Sequence, residues 1–144
     1  MILVIAAQDI TSITFGLADE GEVRKEETIQ ASPEEYVSAF DQVLTQWSVA
    51  RADIESILVV TGPGSFTASR VSTTIANGLG FAWNIPVVGT ENPAHVPISD
   101  LDLAVHETFL HYARPTYDRP PEITTPKEMR GDNARDEFPE KMLQ

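Results

Sequence analysis

The sequence predicts an α/β fold, a mixed sheet built in the order β-β-β-α-β-α-β with an extended C-terminal tail. Three observations lead there. Residues 2–7 (ILVIAA) and 56–61 (SILVVT) are continuous apolar runs, as strands buried on both faces require. Asp19-Glu20-Gly21-Glu22 has the chemistry of a hairpin turn, with Gly21 free to take positive φ. Ser32-Pro33-Glu34-Glu35 carries the start signals of a helix.

In chain order, residues 2–7 give the first strand and Ile13 to Leu17 the second. Val23 to Ile29 returns as the third, with its Glu and Lys side chains on an exposed face or edge. Ser32 is the N-cap of the first helix, Pro33 its first residue, and Glu35 completes an S-x-x-E capping box. Val37, Phe40, Leu44 and Trp47 recur at helical spacing and are expected to face the sheet, and the helix fades near Ser48. Strand 56–61 follows, then a Gly-rich turn, a helix from about Thr67 to Trp83, and a last core strand from Pro86 to Thr90. The antiparallel meander thus feeds into right-handed crossovers. Residues 1–91 read as one lobe and 92–112 as a short connector, in which Leu103 to Tyr112 is one short helix or strand. Residues 113–144, with five prolines, read as an extended or partly disordered tail.

Composition excludes several functions. The net charge is −12, and residues 1–110 hold 15 acidic side chains against 4 basic ones. Binding a phosphate backbone takes a patch of Lys and Arg, so no direct nucleic-acid contact is expected. There are no cysteines, which rules out disulfides, thiolate zinc sites and Cys nucleophiles. The apolar start is too short to span a bilayer and lacks a basic leader, so a cytoplasmic location without membrane contact is expected.

The segment with most information is VVTGPGSFTASRVSTTIANGLG, residues 59–80. Gly62-Pro63-Gly64-Ser65-Phe66-Thr67 joins a strand to a helix, a layout that often cradles phosphate. It fails as a Walker A loop for want of spacing and a Lys, and fails G-x-G-x-x-G because its sixth position is Thr67. A tight structural turn with Thr67 capping the helix is the favoured reading, and phosphate contact is its rival. In the helix, Ser72, Ala76 and Gly80 make a stripe of small side chains that Ser69, Thr73 and Asn77 broaden. Val71, Ile75, Leu79 and Trp83 are expected to pack on the sheet. The small face then either packs within the domain or lets a partner helix approach closely.

GPGSFTASR followed by IANGLGFAWNIPVVGT resembles the TsaB (YeaZ) family, accessory subunits for threonylcarbamoyladenosine synthesis on bacterial tRNA. Pro115, Tyr117 and Arg119 of PTYDRPPEITTP resemble the family's C-terminal P-x-Y-x-R segment. The resemblance implies an actin/Hsp70-like (ribonuclease H-like) lobe, with room for only the first of the family's two lobes. It implies a non-catalytic scaffold, without cofactor, whose partner TsaD performs the threonylcarbamoyl transfer, with TsaE in the same complex. Ser69, Arg70, Ser72, Thr73, Ala76, Asn77 and Gly80 would form the docking helix, helped by the tail. A homodimer through the same helix stays open.

Two departures bear on that reading. Ala6 stands where nucleotide-using members of the fold class place an Asp, and Asp9 falls three residues later, in the expected turn. Ala68 replaces the family's Gly after Thr67, which suits a first helical turn. Elsewhere, His106, Glu107 and His111 suggest a zinc helix, but residues five apart lie about 140° from each other around the axis and cannot share a metal. His95 is expected to be solvated, and Ser65 has no evident base. No metal or catalytic residue is expected.

Overall fold

A computed structural model describes residues 1–103 and 113–115. Strands β1 (Ile2–Ala6), β2 (Ser12–Asp19) and β3 (Glu22–Gln30) form the meander. The turn between β2 and β3 places Glu20 and Gly21 at φ 53° and 80°, the pair of positive values that a two-residue hairpin needs. Helix α1 (Tyr36–Trp47) leads to β4 (Ser56–Gly62), and α2 (Phe66–Trp83) leads to β5 (Val87–Glu91). The strand order is β3-β2-β1-β4-β5, antiparallel among the first three and parallel from β1 through β4 to β5.

Both helices lie on one face of this sheet. Leu3, Ile5, Phe15, Ile57 and Val59 meet Tyr36, Ala39, Phe40 and Val43 of α1 and Ala68 and Ala76 of α2 in one core. Each large apolar side chain buried there contributes roughly 1.5–3 kcal/mol. On the other face, Ile98 and Leu103 join Val4, Ala18 and Leu58. Every residue of β4 is buried, which accounts for its unbroken apolar run.

The start of α1 differs in one respect from the expectation. Glu35 does reach back, its Oε1 accepting from the Ser32 N–H at 3.0 Å and the Ser32 hydroxyl at 2.9 Å. The first turn, Pro33–Glu35, is a 3-10 turn, and the α-helix proper begins at Tyr36. Tyr36, Ala39, Phe40 and Val43 then face inward, while Val37 is 62% exposed. Two apolar rows a residue apart fit the spacing equally, and the bulkier Tyr36 takes the inner one. Ser48 closes the helix in the left-handed conformation, as the fading pattern predicted.

Candidate functional site

The Gly-rich turn is held from below by Gln8, just past the end of β1. Gln8 Nε2 donates to the carbonyls of Pro63 (2.7 Å) and Asn92 (2.8 Å), and its own carbonyl accepts from the Ser65 N–H at 2.9 Å. Asn92 in turn donates its N–H to Gly62 O at 2.8 Å and holds Val96 through its side chain. The Gly62–Pro63 peptide is cis. Gly64 lies so close to Gln8 that a Cβ would collide with the Gln8 carbonyl oxygen, so this position tolerates only glycine.

Ser65, rather than Thr67, caps α2. Its Oγ accepts from the Ala68 N–H at 3.2 Å, and its ψ of 128° is the non-helical value a cap requires. Thr67 is exposed and already lies within the helix. Ala68 sits in the first turn, fully buried, where a methyl packs better than a hydrogen. The N–H groups of Ser65 and Ala68, two that would greet a phosphate, are thus committed inside the turn.

Burial decides between the two places left open for the small stripe of α2. Ser69, Ser72, Thr73, Ala76 and Gly80 are buried, turned toward the chain's own sheet. A Cβ on Gly80 would overlap the Val87 side chain, so the helix comes as close to β5 as a glycine allows. The small stripe therefore serves close packing inside the lobe, and its side chains are not on the surface. Ser69 Oγ and Thr73 Oγ1 have no hydrogen-bond partner among the described residues. Val71, Ile75, Leu79 and Trp83 are half-buried at the flank of the core, where Trp83 meets the Phe40 ring at 6.1 Å. Outward, α2 shows Arg70, Thr74, Gly78 and Phe81, the last 89% exposed. Phe81 is not marked in the sequence, because helical spacing alone does not say which face of α2 meets the sheet.

Asn77, at the margin of these faces, has a partner no local pattern announces. Its Nδ2 donates to Ala113 O at 2.8 Å, and its Oδ1 accepts from the Ala113 N–H at 2.6 Å. Of the tail residues expected at an interface, Pro115 is half-buried beside this contact, and Tyr117 and Arg119 lie outside the described residues. So do His106, Glu107 and His111, and nearly all of the expected element from Leu103 to Tyr112.

A cavity of about 340 Å³ opens at the end of β1, lined by Ala6, Gln8, Asp9, Thr14, Glu26, Thr28 and His95 among others. Among the described residues two carboxylates and no Lys or Arg line it, an unfavourable setting for a phosphate. Ala6 faces it where the nucleotide-using fold class would present a carboxylate. Asp9 instead forms a local turn, accepting from the Thr11 N–H (3.0 Å) and hydroxyl (2.9 Å). Those bonds, with a smaller contribution from His95, hold its carboxyl below the usual carboxylate range. The support this gives is therefore present above the ordinary value and fades as pH falls through the lowered one. Beneath it, burial and then the Asp9 charge push the Tyr36 hydroxyl up. Among the described residues no three His, Asp or Glu side chains are grouped to hold a metal, and no helix is long and apolar enough to cross a membrane.

A family model described as "TsaD: tRNA N6-adenosine threonylcarbamoyltransferase" matches residues 5–116. The tRNA N6-adenosine threonylcarbamoyltransferases of Burkholderia vietnamiensis and Burkholderia cenocepacia are each 43% identical over 49 residues, 34% of this chain and 14% of theirs. The structure of YeaZ from Pseudomonas aeruginosa superposes with a TM-score of 0.55 at 21% identity, covering 63% of this chain and 43% of that one. The chain thus spans less than half the length of the relatives it matches. The family match covers most of the chain, so the protein belongs to the TsaD, tRNA N6-adenosine threonylcarbamoyltransferase, family, and its described residues have a fold similar to that of YeaZ.

Proposed function

We propose that the protein is a non-catalytic subunit that supports tRNA threonylcarbamoylation by docking on TsaD through the outward face of α2. The observation that carries this reading is Phe81, 89% exposed on a helix whose only charged side chain is Arg70. A helix face destined for water is normally polar and charged. Here Thr74 and Gly78 are exposed beside Phe81, and Val71 and Ile75 are half-exposed, which makes an apolar strip suited to a partner helix or groove. The docking helix is the one the resemblance implied, and the surface is its opposite side. Arg70 remains on it. The partner proposed is TsaD, which would transfer the threonylcarbamoyl group, with TsaE in the same assembly; the family match is what supports this choice. The acidic balance of this chain fits a subunit that leaves nucleic acid to its partner.

The test is co-purification with TsaD. Phe81→Asp is expected to abolish capture while the free protein keeps its melting temperature and circular dichroism. Capture undiminished in a folded Phe81→Asp variant refutes the docking face. Sizing the free chain separates a homodimer through the same strip from a monomer awaiting its partner.

The rival reading gives the Gly62–Thr67 turn a nucleotide. The internal commitment of the Ser65 and Ala68 N–H groups and the carboxylate-lined cavity both weigh against it. Thermal denaturation with excess ATP and magnesium is expected to show no shift, since a ligand at 100 times its Kd adds about 2.7 kcal/mol to the native state.

A further inference from the structure

We propose that the cavity at the end of β1 binds a linear aliphatic polyamine, with one ammonium held at Asp9 and another at Glu26. The proposal is independent of the role given to Phe81. At about 340 Å³ the cavity is far larger than a bare metal ion needs, and it falls in the size range of sites for small organic ligands. Among the described residues no three His, Asp or Glu side chains are grouped to hold a metal. Charge then selects the ligand's sign. Asp9 and Glu26 both line the cavity, and among the described residues neither is paired with a Lys or Arg. The only ionisable nitrogen in the lining belongs to His95.

The uncharged lining calls for hydrogen-bond donors as well. Both amide hydrogens of Gln8 are donated, to Pro63 O and Asn92 O, which leaves its Oε1 to accept. The hydroxyls of Thr14 and Thr28 share one hydrogen between them at 2.8 Å and keep lone pairs free. An ammonium, with three hydrogens and no lone pair, is the complement of such a lining. The placing of the two carboxylates calls for two ammoniums. Ala6, Thr14 and Thr28 are level across β1, β2 and β3. Glu26 precedes that row by two residues on β3, and Asp9 follows it by three beyond β1. With two strand spacings, about 9–10 Å, between β1 and β3, the carboxylates belong to opposite ends of the cavity. Between them, Ala6 and the wall of Val96, Pro97 and Ile98 offer apolar contact to a carbon chain. The wall is preformed. The Asn92 side chain donates to Val96 O at 2.9 Å and accepts from the Val96 N–H at 3.0 Å, while Ile98 sits over Gly16, where a Cβ would collide with it.

The test titrates the full chain with spermidine, followed by calorimetry and by the shifts of amide resonances. One spermidine is expected per chain, moving the amides of Gln8, Thr14 and Thr28. A protein of net charge −12 also collects polyamine loosely over its surface, and a pair of variants separates the two effects. Glu26→Gln, at an exposed position of β3, is expected to weaken binding about threefold, the scale of one exposed ion pair. Asp41→Asn removes the same charge from the exposed side of α1 and is expected to leave the affinity unchanged. Equal losses in the two variants, or shifts spread along α1, overturn the proposal. n-Butylamine, with a single ammonium, is expected to bind more weakly than spermidine by at least the same factor. Butylamine binding as tightly as spermidine overturns the bridging by two ammoniums, and the site then suits a lone cation such as a lysine side chain.

Discussion

The two sides of α2 both carry small residues and do opposite things. Ser69, Ser72, Thr73, Ala76 and Gly80 bring the helix down onto β4 and β5, while Thr74, Gly78 and Phe81 face outward with Arg70 as the only charge. Small side chains signal that something comes close, and they do not say what. On the inner side the answer is the chain's own Val87, against which even a methyl on Gly80 would clash. On the outer side the low charge and the exposed ring carry the signal, and size does not.

Substitutions sharpen this contrast, beginning with the largest effect. Ala76→Arg places an unpaired cation at a fully buried position and is expected to remove about 3–5 kcal/mol, enough to unfold much of the population in a urea titration. Had the small stripe been a docking surface, the same change would leave the fold intact. Gly80→Val overpacks the contact with Val87 and is expected to lose about 1–3 kcal/mol by the same measurement. Thr73→Val keeps the shape and deletes a buried hydroxyl without a partner among the described residues, so it is expected to gain up to about 1 kcal/mol. A loss instead would mean that the hydroxyl is bonded. Phe81→Asp stands last, with stability changed by no more than about 0.5 kcal/mol and only partner capture affected.

The fold was largely legible because its signals are local. The apolar runs at 2–7 and 56–61, the Glu20-Gly21 turn and the Ser32/Glu35 pair each announce an element from a few neighbouring residues. Within the candidate site, legibility failed wherever the outcome depends on distant residues. Helical spacing gives two candidate faces for α2, and only the position of Val87 decides between them. The cap fell on Ser65 rather than Thr67 because Gln8, more than fifty residues earlier, fixes the path through Gly64. A glutamine after a strand carries no such message by itself. Asn77 looked like part of a small polar stripe, and its bonds to Ala113 involve a residue in what composition marks as tail.

An open sheet has two rims, and each can recruit a strand from another molecule. At one rim, β3 is nine residues long and mostly exposed, but Arg24, Lys25, Glu26 and Glu27 stud it, with Arg24 3.1 Å from Glu22. A stranger pairing there would have to strip water from that row of charges. At the other rim β5 is five residues long, against nine for β3, so the row of backbone groups it could offer a stranger is short. Charge at one rim and a short strand at the other, among the described residues, both work against strand pairing between copies.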